Sequence, residues 1–245
     1  MPRSTAVSII VPVLNESASI VPALERLSAL RDAGAEVIVV DGGSADDTVA
    51  LATPLCDRVV DSDRGRALQM NRGAAEATGE VLLFLHADTV LPEGADQALE
   101  AFRPSNHAWG RFDVRLSGTR PLFRLIAFMM NLRSRLTGIA TGDQGIFVRR
   151  SLFEDLGGYR ELPLMEDVEL CRRLRRVSRP FCIGTPVITD SRRWEQLGAW
   201  HTIVLMWRLR WRYWRGGDPA ELARAYRADV RHPGSPTKKK GASDR

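Results

Sequence analysis

The chain has 245 residues, 44% hydrophobic and 27% charged, a make-up that suits one globular domain with a small appendage and excludes a disordered chain. Net charge is +5, but Arg231, Lys238, Lys239, Lys240 and Arg245 face only Asp244 in the last fifteen residues. The basic excess therefore belongs to a Pro/Gly/Ser-containing tail, and with no recognisable nucleic-acid motif it excludes a nucleic-acid partner.

Cys56, Cys171 and Cys182 form no C-x-x-C pair and no metal-ligand spacing, which suits a reducing, cytoplasmic compartment. The first apolar run is broken by Pro12 and has no cleavage signal, so no signal peptide is expected. No apolar stretch approaches the ~20 residues of a membrane span.

From the N-terminus, strand and helix alternate. Strands are expected over 8–13, 36–40, 58–60 and 81–85, with helices over 20–33, 46–53, 66–78 and 95–102 between and after them. Such alternation makes a parallel sheet with right-handed crossovers. The run Val81-Leu82-Leu83-Phe84-Leu85 is apolar throughout, as in a central strand buried on both faces, and it stops at His86-Ala87-Asp88. Beyond residue 105 the order is less regular. Strands are expected over 109–116, 144–149 and 181–188, and helices over 121–136, 166–176, 199–215 and 219–228. The pattern divides into a catalytic domain over 1–195, a helical appendage over 196–230 and a disordered basic tail over 231–245. Gly216-Gly217-Asp218-Pro219 is the expected linker.

Chemistry-bearing residues fall at the ends of these elements. The first strand runs into Pro12, Asn15 and Glu16, the second ends at Asp41 and the fourth at Asp88, while Glu166-Asp167 opens a charged helix. Parallel strands finish on one side, so the first three sites converge on the edge where open α/β sheets hold their ligands. Singly, each motif has a plainer reading. Asp41-Gly-Gly-Ser is a strand-to-helix turn, Glu166-Asp167 complements a helix dipole, and Gly142-Asp143-Gln144-Gly145 is a turn. His86, with no second histidine near it, fits a partner for a polar neighbour better than a metal ligand.

Taken in order, VPVLNE, VDGGSADDT, LHADT, GDQG, MEDVEL and SRRW resemble a family 2 glycosyltransferase of the GT-A fold over about residues 7–195. Within that family the set is most similar to a bacterial subgroup of arsenosugar-type or lipid-type glycosylation. The resemblance implies an α/β, Rossmann-like, mostly parallel sheet flanked by helices, with the C-terminal amphipathic helices added. It also implies an inverting, metal-dependent transfer from a nucleotide-diphosphate sugar, by default a UDP-sugar, to a hydroxyl acceptor. Pro12, Asn15, Glu16, Asp41, Arg66, His86, Ala87 and Asp88 would line the nucleotide-sugar side, and Asp88 would hold Mn²⁺ or Mg²⁺. Asp167 would be the general base with Glu166 beside it, and Gly142, Asp143 and Gln144 would lie on the acceptor side. Arg192, Arg193 and Trp194 would close over the diphosphate. The chain departs from the family's D-x-D at its first position, which is His86.

Trp207, Trp211 and Trp214 repeat at helical spacing, with Arg208, Arg212 and Arg215 one position on. That pairing suits a membrane surface at the inner face of the cell membrane. A homodimer contact through 120–136 and 199–215 is the other reading. Two rival enzymes lack their motifs: a nucleotidyltransferase needs a Gly-rich basic loop after the first strand, and a dinucleotide oxidoreductase needs G-x-G-x-x-G. A catalytically silent nucleotide-binding or membrane-scaffold protein of the same fold is the remaining alternative.

Overall fold

The computed structural model describes residues 6–231, so the expected tail lies, Arg231 apart, outside the described residues. Strand β1 (Val7–Val13) leads into two short helices, α1 (Ile20–Glu25) and α2 (Ser28–Asp32), where periodicity alone predicts one. The Leu27 N–H tightens onto the Leu24 carbonyl at 2.9 Å, and this three-residue bond interrupts the helix while both leucines stay buried. Next come β2 (Glu36–Asp41), α3 (Thr48–Ala52), β3 (Arg58–Asp61), α4 (Arg66–Glu76) and β4 (Val81–Phe84). They are followed by β5 (Thr89–Val90), α5 (Ala95–Phe102), β6 (Trp109–Leu116) and α6 (Pro121–Thr137). The series continues with β7 (Ile146–Arg149), α7 (Arg150–Asp155), α8 (Glu166–Val177) and β8 (Phe181–Thr189).

The eight strands form one sheet in the order β3-β2-β1-β4-β7-β6-β8-β5. The first four pair in parallel, whereas β7 runs antiparallel to β4 with Ile146 opposite Phe84. A strand reversed in this way begins at the edge where β4 ends. The segment before β7 is thereby delivered to the same edge as the ends of β1, β2 and β4. The sheet is thus mixed, with the expected parallel half and an antiparallel insertion beyond it.

Alternating side chains build two cores. Val7, Ile9, Val11 and Val13 face one side with Leu24 and Leu99, while Ile10, Ile38 and Val40 face the other with Met70 and Leu170. Fully burying each such side chain contributes about 1.5–3 kcal/mol. Helix α4 lies close on the sheet because Gly73 has no side chain, and a Cβ there would meet Ile10 Cγ2 at 2.5 Å.

The chain divides into two units, residues 1–191 and 192–245, and both cores belong wholly to the first. The second unit contains α9 (Arg192–Gln196), α10 (Ala199–Trp214) and α11 (Pro219–Arg231). Its helices α10 and α11 pack on each other, with Leu209, Leu222 and Ala223 buried. Gly216-Gly217-Asp218, expected as a linker, is the turn joining them: the Gly217 N–H reaches the Arg212 carbonyl at 2.8 Å. Among the described residues no helix is long and apolar enough to cross a membrane.

Candidate active site

The ends of β1 and β2 are knitted into one ledge. Asn15 adopts a left-handed backbone (φ 54°), its N–H donates to Ser44 Oγ at 2.8 Å, and its Oδ1 accepts the Ala45 N–H at 2.8 Å. Ser44 Oγ donates in turn to Asp41 Oδ1, while Asp41 Oδ2 accepts the N–H groups of Gly43 at 3.0 Å and Ser44 at 2.9 Å. Asp41 therefore first fixes its own loop, as a strand-end Asx turn does. Glu16 is held by its N–H on Thr48 Oγ1 and by Ser19 Oγ on its carboxylate at 2.6 Å. Asp46 accepts hydrogen bonds from Thr48 and Ser17, which bring its carboxyl down to about 2. Beneath the ledge the buried Gln69 amide donates to the carbonyls of Val13 at 2.8 Å and Val40 at 2.9 Å. Both carbonyls would otherwise be buried acceptors at strand ends.

A cavity of about 270 Å³ opens on this ledge, lined by Pro12, Val13, Glu16, Gln69 and, from the start of α4, Arg64 to Arg66. His86, Ala87 and Asp88 form its other wall, in a turn closed by the Thr89 N–H on the His86 carbonyl at 3.0 Å. The exposed Asp88 carboxylate thus shares one cavity with Arg64 and Arg66 at a helix N-terminus, a combination that suits an anion bearing a cation. Among the described residues no three His, Cys, Asp or Glu side chains group as a metal cage. A single carboxylate fits Mg²⁺ or Mn²⁺ shared with a diphosphate, since such ions are commonly held by one or two carboxylates plus substrate oxygens.

His86 joins this cavity to the second half of the chain. Its Nδ1 lies 3.4 Å from Asp143 Oδ1, and its ring rests on Gly142, where a Cβ would come within 2.5 Å of Cε1 and Nε2. The Gly142 N–H donates to Asp167 Oδ2 at 3.0 Å, and the Val168 N–H to Asp167 Oδ1 at 2.6 Å. Gln144 is fully buried, with its amide on Ser134 Oγ at 3.1 Å and its Oε1 accepting the Thr141 N–H. Its side chain holds the turn to α6, while Gly142 and Asp143 of that turn meet the His86 ring.

Met165, with φ 71°, swings the chain so that Glu166 is buried at the start of α8 while Asp167 stays partly open. Burial first, then the neighbouring Asp167 charge, push the Glu166 carboxyl up to about 7, against the opposing pull of Arg66 and His86. The two halves are tied below this point by Asn71 of α4, whose amide exchanges two 2.8 Å hydrogen bonds with the Tyr159 backbone. Arg173 clamps α8 to the carbonyls of Leu156 and Gly158 and pairs with Glu169 one turn back on the same helix.

Of the residues expected in the site, Pro12, Glu16, Arg66, His86, Ala87 and Asp88 line the cavity. Asn15 and Asp41 form the ledge, Gly142 and Asp143 meet the His86 ring, Asp167 accepts the Gly142 N–H, and the Glu166 carboxyl feels the charges of Arg66 and His86. Arg192, Arg193 and Trp194 open the second unit, in α9. Sequence reasoning missed Arg64, Gly65, Gln69 and Asn71. The D-R-G-R run before an amphipathic helix is the one signal that marked the first two.

The family profile of glycosyl transferase family 2 matches residues 8–157. The chain belongs to that family. It is 35% identical over 169 residues to a PGL/p-HBAD biosynthesis glycosyltransferase of Mycobacterium tuberculosis, covering 62% of this chain and 62% of the length of that relative. Its fold is similar to that of Staphylococcus aureus TarS in complex with UDP, with a TM-score of 0.63, 19% identity, and 76% and 60% of the two chains covered. It is also similar to the mannosyltransferase PcManGT of Pyrobaculum calidifontis in complex with GDP-Man and Mn²⁺, with a TM-score of 0.58, 22% identity, and 94% and 71% covered.

Proposed function

We propose that this chain is an inverting glycosyltransferase that moves a sugar from a nucleoside-diphosphate donor, by default a UDP-sugar, to a hydroxyl acceptor. One observation carries the reading: the His86 ring lines the donor cavity and rests on the glycine whose N–H is held by Asp167. In this reading a cation site at Asp88 and a carboxylate base at Asp167 flank His86, and displacement at a sugar carbon requires the two to be separate. The solved relatives that hold UDP, or GDP-Man with Mn²⁺, support a nucleotide-sugar donor and a divalent ion.

In this reading Asp88 holds Mn²⁺ or Mg²⁺, which supplies, when bound, the charge that offsets the departing diphosphate. Arg64 and Arg66 flank that diphosphate at the start of α4. Asn15, Glu16 and Asp41 receive the nucleoside. Asp167 takes the acceptor proton, because a sugar hydroxyl is too weakly acidic to attack unaided. Its orientation is fixed by the Gly142 N–H, which leaves lone pairs on each oxygen for the hydroxyl. Glu166, its carboxyl raised to about 7, is about half protonated near neutrality, which reduces the negative charge beside Asp167. A lipid-borne acceptor, met at the inner face of a membrane, suits a relative of Sodalis glossinidius, 30% identical over 157 residues, that is named undecaprenyl-phosphate 4-deoxy-4-formamido-L-arabinose transferase.

The test is release of nucleoside diphosphate from UDP-, GDP- and dTDP-sugars with and without Mn²⁺. Metal-dependent release from one donor, lost in Asp88→Ala, is expected. Nucleotide binding with no release from any donor would identify a silent nucleotide-binding protein instead.

A further inference from the structure

Helix α10 carries a surface that sugar transfer does not use. Trp200, Val204, Trp207, Trp211 and Trp214 recur at helical spacing along one face, and the four indoles are 56–79% exposed. Thr202 and Leu209, on the opposite face, are buried. The helix therefore turns its largest apolar side chains outward, the reverse of a helix whose aromatic face packs on a core. By helical spacing Arg208 and Arg215 lie along one side of the stripe and Arg210 along the other, and from Ala199 to Arg215 there is no Asp or Glu. Arg215 stacks over the Trp211 ring at 5.0 Å, so cation and indole already share one surface.

The same composition recurs in the first unit. Helix α6 has no acidic residue and exposes Leu125, Phe128, Met129, Leu132 and Leu136 on one face, although its Arg135 is already paired with Asp113 at 2.7 Å.

We propose that α10 docks the chain on an anionic lipid surface, with its indoles at the headgroup boundary and its arginines on lipid phosphates. Charge decides between occupants. A second copy meeting α10 face to face would set arginine rows against each other, with no carboxylate on either helix to relieve them. A lipid surface provides phosphate along the full stripe, about 21 Å for fourteen residue steps. Attachment is peripheral, since no described helix can span a bilayer. This proposal gives a site to the membrane contact suggested above, and it stands on α10 whether or not the chain transfers sugar.

The full chain is sedimented with vesicles of phosphatidylcholine alone and of phosphatidylcholine with phosphatidylglycerol, at low and high salt. Binding to the anionic vesicles is expected, weakened by salt, with indole emission shifted to the blue. Trp207→Ser/Trp211→Ser and Arg208→Gln/Arg215→Gln should each weaken that binding by about tenfold or more. These side chains are exposed, so circular dichroism should report unchanged folding. No binding by the wild type, or binding that neither variant weakens, overturns the proposal. So does a wild-type dimer that the Trp variant dissociates when neither protein binds vesicles. Nucleotide titration of the same samples separates this failure from failure of the transferase reading, since each can be lost while the other persists.

Discussion

Glu166 buries a carboxyl beside a second carboxylate, and the sign of its shift sets a pH dependence. Its folded value of about 7 lies above the ordinary 4.5, so between the two the folded chain holds a proton that the unfolded chain has lost. The resulting stability is complete below the ordinary value and is lost as pH rises through about 7. Glu166→Gln copies the protonated form. Its stability relative to wild type should improve by up to about 3 kcal/mol between about pH 4 and about pH 8. Chemical denaturation at the two pH values checks this, and an unchanged difference would contradict it. Asp167→Asn should lower kcat by about 10²–10⁴ while nucleotide affinity stays near wild type. A fall in affinity alone would move Asp167 out of the base role. Both carboxylates were legible in the sequence because they open a helix of strong periodicity. Gln69 and Asn71 were not, because their partners are backbone groups of Val13, Val40 and Tyr159, up to 88 residues away.

Helix α4 shows at the element scale how packing overrides propensity. Gly73→Ala gains about 1 kcal/mol of helix propensity, yet its Cβ would sit 2.5 Å from Ile10 Cγ2 and 2.8 Å from Val40 Cγ2. Overpacking against two core side chains costs about 1–3 kcal/mol, so a lowered melting temperature is expected, and a raised one would refute the close approach. Gln69→Leu removes the donor shared by the ends of β1 and β2. It should destabilise by about 1–3 kcal/mol and weaken nucleotide binding as well, read by thermal melting and titration. Long elements such as α5 and β6 fall at the limits their periodicity predicts. Strand β5 and helices α7 and α9, of two, six and five residues, were missed because each is shorter than the window in which periodicity becomes visible. The reversal of β7 was likewise not visible, since an apolar run has no direction until it finds its neighbour.

The chain divides into two units after Ser191, and both cores lie on one side of that division. Residues 1–191 contain both cores and every cavity-lining residue, so that segment alone should unfold cooperatively and still bind nucleotide. If Arg192, Arg193 and Trp194 close over the diphosphate, its affinity should be lower than that of the full chain; equal affinity would remove them from the site. The order of motifs made the family legible, because turns of independent origin would not repeat it. Donor base and acceptor were not legible, since both depend on surfaces that form only when distant loops meet. The most direct test of a metal-dependent donor site is calorimetric titration of UDP, GDP and dTDP with Mn²⁺ into wild type and Asp88→Ala. One nucleotide should bind, only with the metal, and the folded variant should lose it. Binding of none by folded wild type, or metal-independent binding unchanged by Asp88→Ala, would contradict the transferase reading.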